Sequence, residues 1–114
     1  MNELIKNVLQ WGEDKGIVGP NGKATLLTQL AKTQEELTET RDAAIMFSQH
    51  PPESFKGTCA WMEIADGIGD HVVTLILAAE LAGTTLEECL ALAYAQIKDR
   101  TGKMIDGTFV KDTK

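Results

Sequence analysis

The sequence is poor in the residues that build disulfide-bonded and zinc-bound proteins. It holds two cysteines, Cys59 and Cys89, two histidines, and no C-x-x-C pair. A disulfide framework or a thiolate zinc site therefore does not organise the fold, and both cysteines are interpreted as small core residues. Neither His50 nor His71 has a glutamate three positions before it, which argues against the E-x-x-H pairs of di-iron carboxylate bundles.

Clustered positive charge and long apolar runs are also missing. The net charge is −6 without a block of lysines or arginines, so we expect no binding to nucleic acid. No apolar run reaches the roughly 18 residues that span a membrane, and we expect no membrane association. Residues 1–16 lack the pattern of a secretory signal, which predicts a cytoplasmic protein. Because acidity repels free phosphates, a phosphate substrate would need a metal ion or local lysines.

Prolines are few, and two of the three stand together at Pro51 and Pro52. Long stretches on either side of this pair contain apolar residues at a period near 3.6, which indicates amphipathic helices. The sequence predicts an all-α fold, a four-helix single domain over residues 1–114, and a tail without strands over residues 100–114. The expected helices cover residues 3–11, 24–47, 58–81 and, after the T-x-x-E capping box at 85–88, a stretch ending near 98.

The third predicted helix is apolar around nearly its whole circumference after Asp70. Such a helix needs cover on all sides, and three short neighbours in a chain of this size give only partial cover. We therefore expect a homodimer or homotetramer.

Two predicted helices each carry a stripe of polar and acidic side chains. Because a helix turns about 100° per residue, Glu63, Asp66 and Asp70 fall within an arc of roughly 60°. On the second helix, a stripe within roughly 80° is separate from the leucine stripe. It consists of Gln29, Lys32, Glu36 and Glu39.

If these helices pack antiparallel at about 8 to 10 Å, the two stripes can face each other. A cluster of like charges is costly without a cation, and oxygen ligands favour Mg²⁺ or Mn²⁺ over zinc. The alternative is a solvated face on each helix, with Lys32 supporting its neighbours Glu35 and Glu36. Gly67 and Gly69 favour the site, because a glycine inside a helix costs about 1 kcal/mol unless a ligand or another backbone comes close.

These motifs resemble a known family. The segment QLAKTQEELTE, residues 29–39, resembles the Q-x-x-K-x-x-x-E-x-x-E signature of the MazG-like all-α nucleoside triphosphate pyrophosphohydrolases. Residues 63–111, including LAGTTLEECL, resemble the second half of small phage-type members. The resemblance implies an antiparallel four-helix MazG-like bundle. It also implies Mg²⁺-dependent cleavage of a nucleoside triphosphate between the α and β phosphates, which gives the monophosphate and pyrophosphate.

The family holds its metal with an E-x-x-E and an E-x-x-D on adjacent helices. Carried across, the resemblance implies Glu36, Glu39, Asp66 and Asp70 as metal ligands. The chain departs from the pattern at Gly67, where the family has Glu. Asp66 takes that role in our preferred frame, because i−3 and i−4 lie on the same side of a helix. In the alternative frame, Glu63 and Asp66 form the pair.

The resemblance also assigns roles to other residues. Glu35 or Glu36 would orient or deprotonate the attacking water. Trp11 and Gln29 are candidates to contact the base, although core packing is the alternative for Trp11 as for Trp61. Candidates to hold phosphates are Lys32, Lys98, Arg100 and Lys103. The competing hypothesis is a non-catalytic module that binds nucleotide or metal.

Overall fold

The computed structural model describes residues 2–113, so Met1 and Lys114, the ends of the predicted domain, lie outside it. Within this range the chain forms four helices followed by a small antiparallel β-hairpin. The four helices confirm the prediction of a mostly helical fold. The prediction that the fold contains only helices is wrong, because the chain also forms the hairpin. The elements are α1 (Asn2–Asp14), α2 (Leu26–Ser48), α3 (Phe55–Leu81), α4 (Leu86–Ile97), β1 (Gly102–Ile105) and β2 (Thr108–Lys111).

Hydroxyl side chains fix where the two long helices begin. Thr25 caps α2 by accepting a hydrogen bond from the Thr28 backbone N–H, at 3.1 Å, so the helix begins two residues later than expected. Ser54 caps α3 in the same way through the Gly57 N–H, at 3.0 Å. Because Ser54 supplies this cap directly after the Pro51–Pro52 turn, α3 begins at Phe55, before the predicted Thr58.

The core forms around the second half of α3, as the apolar pattern predicts. Ile76, Leu77, Ala78 and Ala79 are buried, with Leu77 only 1% exposed. Helix α3 packs along α2 and also contacts α1 and α4. The buried segment therefore finds cover within one chain, and the homodimer or homotetramer stays a prediction.

The C-terminal segment is a two-stranded hairpin, where the sequence was expected to form a tail without strands. Asp106 and Gly107 form its turn with φ of 49° and 81°. Two successive positive φ values make the two-residue turn that matches strand twist, and Asp-Gly is a favoured pair for it. The strands have only four residues each, too short for a visible alternation, and Ile105 pairs with Thr108 beside the turn.

Four residues expected in the core, two cysteines and two tryptophans, are more exposed than predicted. Cys89 lies exposed on α4, while Cys59 is half-buried. Trp11 is 47% exposed and Trp61 is 58% exposed. Neither indole is packed into the core of the part of the chain that the structure describes. In residues 2–113, no helix is long and apolar enough to cross a membrane.

Candidate functional site

The acidic side chains of α2 and α3 meet in an open cavity of about 430 Å³ between the two helices. Its walls come from opposite sides: α2 supplies Glu36 and Glu39, and α3 supplies Glu63, Asp66 and Asp70. The structure thus brings together all five acids that the sequence named as metal ligands or alternates. The other lining residues are Thr40, Asp42, Ala43, Met46 and Gly67.

Asp42 is an acid that the sequence reasoning missed. It lies three residues after Glu39, so a helix places it beside the predicted stripe. Extending the acidic spacing of α2 by one more step would have found it. Among residues 2–113, no Lys or Arg lines this cavity.

The electrostatics of the cavity are those of crowded carboxylates. Partial desolvation, followed by repulsion from Glu39 and Asp70, raises the pKa of Glu36 above its ordinary value. Partial desolvation, followed by the charge of Asp66 and a hydrogen bond with it, raises the pKa of Asp70. The positive charge of Lys32 lowers the pKa of both groups, but by less than the other effects raise it. The site therefore favours bound positive charge, whether a proton or a cation.

The donor chemistry fits a hard, hydrated cation. All charged groups that line the cavity are carboxylates, and oxygen donors suit Mg²⁺ and Mn²⁺. Across residues 2–113, no three Asp, Glu, His or Cys side chains come close enough to hold one ion together. Mg²⁺ needs no such cage, since it commonly keeps several waters and binds through one or two carboxylates plus substrate phosphates.

Gly67 lies buried in the wall of the cavity, where α3 packs against Thr40 of α2. A Cβ atom at this position would overlap the Thr40 hydroxyl group. That hydroxyl donates to the Glu36 carbonyl oxygen at 2.8 Å, so it is held in place. Gly69 faces open space. Close approach of the neighbouring helix therefore explains the glycine at 67 but not the one at 69.

A second cavity, of about 460 Å³, adjoins the acidic one and shares Glu36 and Asp70 with it. It lies between α1, the loop at 15–25, α2 and α3. Its walls are mainly apolar, and both residues predicted to contact a base border it. The lining residues are Trp11, Ile17, Ala24, Thr28, Gln29, Lys32, Glu36, Asp70, Val73, Thr74 and Leu77.

Gln29 contributes a buried amide side chain to this second cavity, with 6% of its surface exposed. Its Nε2 donates to the Thr74 carbonyl oxygen at 3.2 Å. Because a carbonyl only accepts, this contact fixes which end of the amide is nitrogen. Among residues 2–113, no fully buried side-chain N or O atom lacks a partner, and no protein donor bonds to Oε1. That oxygen therefore borders the cavity as a free acceptor.

Lys32 and Glu35 form an ion pair at 3.5 Å on the outer part of α2, both more than half exposed. Lys32 also lines the second cavity, next to the shared Glu36. Glu35 lines neither cavity. Glu35 and Glu36 are the two predicted candidates to activate the attacking water, and of these only Glu36 faces the site.

The other three predicted phosphate contacts lie elsewhere. Lys98 caps the C-terminus of α4, Arg100 follows it, and Lys103 belongs to β1. Arg100 borders a separate opening beside Asp99 and Asp112. None of the three lines either cavity between α2 and α3.

Comparison of the chain with protein-family models, with curated proteins and with solved structures gave no match.

Proposed function

We propose that the protein is a cytoplasmic, metal-dependent pyrophosphohydrolase that cleaves a ribo- or deoxyribonucleoside triphosphate between its α and β phosphates. The observation that carries the proposal is the pair of adjoining cavities. One is lined by carboxylates and the other by apolar groups, and Glu36 and Asp70 belong to both. A nucleoside triphosphate also has two parts: a polyphosphate, which binds together with a cation, and a flat aromatic base. The resemblance of residues 29–39 and 63–111 to MazG-like enzymes supports the same function.

Glu36, Glu39, Asp66 and Asp70 would hold Mg²⁺, with Glu63 as the alternate ligand and Mn²⁺ as a substitute. When bound, the ion would neutralise charge on the leaving pyrophosphate and help to align the reacting groups. Partial desolvation, and after it repulsion from neighbouring carboxylates, raises the pKa of Glu36 and of Asp70. Both effects disfavour the unpaired negative charge and therefore favour binding of a cation.

Glu36 is the residue that we propose to orient, or accept a proton from, the water that attacks the α phosphorus. It is half-buried, and partial desolvation raises its pKa, which makes it a better proton acceptor than an exposed carboxylate. Glu35 is paired with Lys32 outside both cavities, so we assign it a supporting role.

Lys32 is the cation best placed to hold a phosphate. It lines the second cavity, which shares Glu36 and Asp70 with the acidic one, and its ion-pair partner Glu35 is exposed enough to be exchanged for a phosphate oxygen. An exposed pair of this kind contributes only about 0 to 1 kcal/mol, so giving it up costs little. The ring of the nucleotide would then lie in the apolar cavity, against Trp11 and within reach of the Gln29 amide.

One observation favours a second candidate, a non-catalytic module that binds nucleotide. Within residues 2–113 no three acidic or other ligating side chains already converge on one point. Such a module would bind nucleotide with Mg²⁺ and release it unchanged.

A panel of ribo- and deoxyribonucleoside triphosphates with Mg²⁺, Mn²⁺ or chelator separates these functions. The proposal expects metal-dependent release of pyrophosphate and the matching monophosphate. Calorimetric binding of nucleotide with Mg²⁺ but without any product would instead support the binding module. Release of orthophosphate and a diphosphate would place the cleavage elsewhere and contradict the proposal.

A further inference from the structure

Gln29 presents a hydrogen-bond acceptor of fixed orientation to the apolar cavity. Its side chain is buried, and Nε2 donates to the Thr74 carbonyl oxygen of α3 at 3.2 Å. Among residues 2–113, no donor bonds to Oε1, and no fully buried side-chain N or O atom lacks a partner. Oε1 is therefore neither satisfied by the protein nor sealed from solvent, and a ligand in the cavity can reach it.

The two ends of this amide cannot exchange places without losing the contact to α3. A half-turn about the terminal bond of Gln29 would set Oε1 against the Thr74 carbonyl oxygen, and two acceptors form no hydrogen bond. Both oxygens would then lack a donor in a buried place, which is costly. The Thr33 hydroxyl, at 2.9 Å from the Thr74 hydroxyl, also joins the two helices at this level. The acceptor thus keeps its position when a ligand enters.

The threonine hydroxyls that line the cavity have already used their protons within the protein. The Thr28 hydroxyl donates to the Thr25 carbonyl oxygen at 3.0 Å. The Thr74 hydroxyl donates to the His71 carbonyl oxygen at 2.7 Å. Neither hydroxyl therefore has a proton left for a carbonyl group of a ligand.

The position of Gln29 relative to the acids decides which part of a nucleotide it meets. This step rests on the proposed function, which places the phosphates beside Glu36 and Asp70. Gln29 lies seven residues before Glu36 on α2, which is about 10 Å along the helix axis and comparable to the length of a nucleoside. A nucleotide that lies along α2 with its phosphates at the acids therefore turns toward Gln29 the end of the base opposite the glycosidic bond.

That end of the base carries one exocyclic group, and its chemistry differs between bases. It is an amino group at C4 of cytosine and at C6 of adenine, but a carbonyl oxygen in uracil, thymine, guanine and hypoxanthine. An amino group donates to Oε1, whereas a carbonyl oxygen would face another acceptor. We propose that Gln29 makes the protein selective for cytosine and adenine nucleotides, through a hydrogen bond from their exocyclic amino group to its Oε1.

Matched pairs of substrates test this selectivity. In dCTP and dUTP, and in dATP and deoxyinosine triphosphate, the same position of the ring carries an amino group or an oxygen. For wild type, kcat/KM for pyrophosphate release should favour the amino member of each pair by about tenfold or more. Gln29→Leu removes the acceptor and should bring each ratio to within about threefold of one.

Thr33→Val is the matched control, because the Thr33 hydroxyl contacts Thr74 but does not line the cavity. It should keep the wild-type ratios. Wild-type ratios near one, or ratios that Gln29→Leu leaves unchanged, would overturn the selectivity and leave the pyrophosphohydrolase intact.

Calorimetric binding of the monophosphates dCMP and dUMP to wild type, with Mg²⁺, needs neither turnover nor a variant that folds. The affinity for dCMP should exceed that for dUMP by about tenfold or more. Absence of cleavage of every triphosphate would contradict the proposed function, yet this preference would still support the role of Gln29. Equal affinities, or tighter binding of dUMP, would overturn it.

Discussion

Gly67 of α3 packs against Thr40 of α2 so closely that no side chain at position 67 fits beneath the Thr40 hydroxyl. Thr40 in turn is fixed by its hydrogen bond to the Glu36 carbonyl oxygen. This contact lies in the wall of the acidic cavity and sets how near the two acid-bearing helices come. The glycine at position 67 therefore has a packing explanation.

Gly67→Ala is expected to destabilise the protein by about 1 to 3 kcal/mol, because the added methyl forces the helices apart or displaces Thr40. Thr40→Ala removes the overlapping hydroxyl, so the double variant should recover much of the loss. The free energy of unfolding from urea titrations of the two single variants and the double variant measures this coupling.

Gly69→Ala is the matched control. Position 69 faces open space, so the change only replaces a poor helix former and should stabilise by up to about 1 kcal/mol. Equal effects at positions 67 and 69 would show that Thr40 does not restrict Gly67.

Stability should fall as pH rises through the titration of the acidic cavity. The pKa values of Glu36 and Asp70 in the folded protein are raised above the ordinary 4.5 and 3.8. The folded state therefore binds more protons than the unfolded state between the ordinary and the raised pKa values, and the free energy of unfolding decreases with pH across that window.

Asp70→Asn removes one of the repelling charges, so without metal it should be more stable than wild type at pH 7. We expect a gain below about 1 kcal/mol, because water screens an exposed site. The difference should shrink as the pH falls through the raised pKa of Asp70, because that carboxyl then becomes protonated and neutral in the wild type as well. Thermal melts across pH, with Glu3→Gln on α1 as the control, measure it. A variant less stable than wild type at pH 7 would contradict the repulsion.

Mg²⁺ should raise the melting temperature of the wild-type protein. An ion that binds only the folded state stabilises it by about 2.7 kcal/mol at a hundred times its Kd. Glu39→Gln removes a proposed ligand and should reduce this gain, whereas Glu3→Gln should retain it. An identical Mg²⁺ response in Glu39→Gln and wild type would remove Glu39 from the ligand set.

Gln29→Leu should raise KM for the nucleotide and leave kcat nearly unchanged, because it removes the amide that borders the apolar cavity while keeping side-chain volume. It also loses the hydrogen bond to Thr74, which contributes about 1 kcal/mol to stability. Thr33→Val is the control, since the Thr33 hydroxyl contacts Thr74 at 2.9 Å but does not line the cavity. If Thr33→Val raises KM as much as Gln29→Leu, the effect is structural rather than a contact with substrate.

The sequence was sufficient for the parts of the fold that depend on periodicity. Helical spacing located α2 and α3 and placed Glu36, Glu39, Asp66 and Asp70 on faces that do meet. It did not reveal the hairpin, because four-residue strands carry almost no alternation and only the Asp106–Gly107 turn gives a signal. The contact between Gly67 and Thr40 could not be predicted from the sequence either, because it depends on the packing of two helices and not on the spacing of residues along one of them.

Pyrophosphate release from nucleoside triphosphates, measured for wild type and for Glu39→Gln, Asp70→Asn and Glu3→Gln, tests the central claim most directly. We expect Mg²⁺-dependent release that the first two variants abolish and the third retains, with the helical circular dichroism unchanged in all of them. Release that persists in Glu39→Gln or Asp70→Asn would contradict the assignment of the acidic cavity, and the absence of release by wild type from every nucleotide would contradict the enzyme itself.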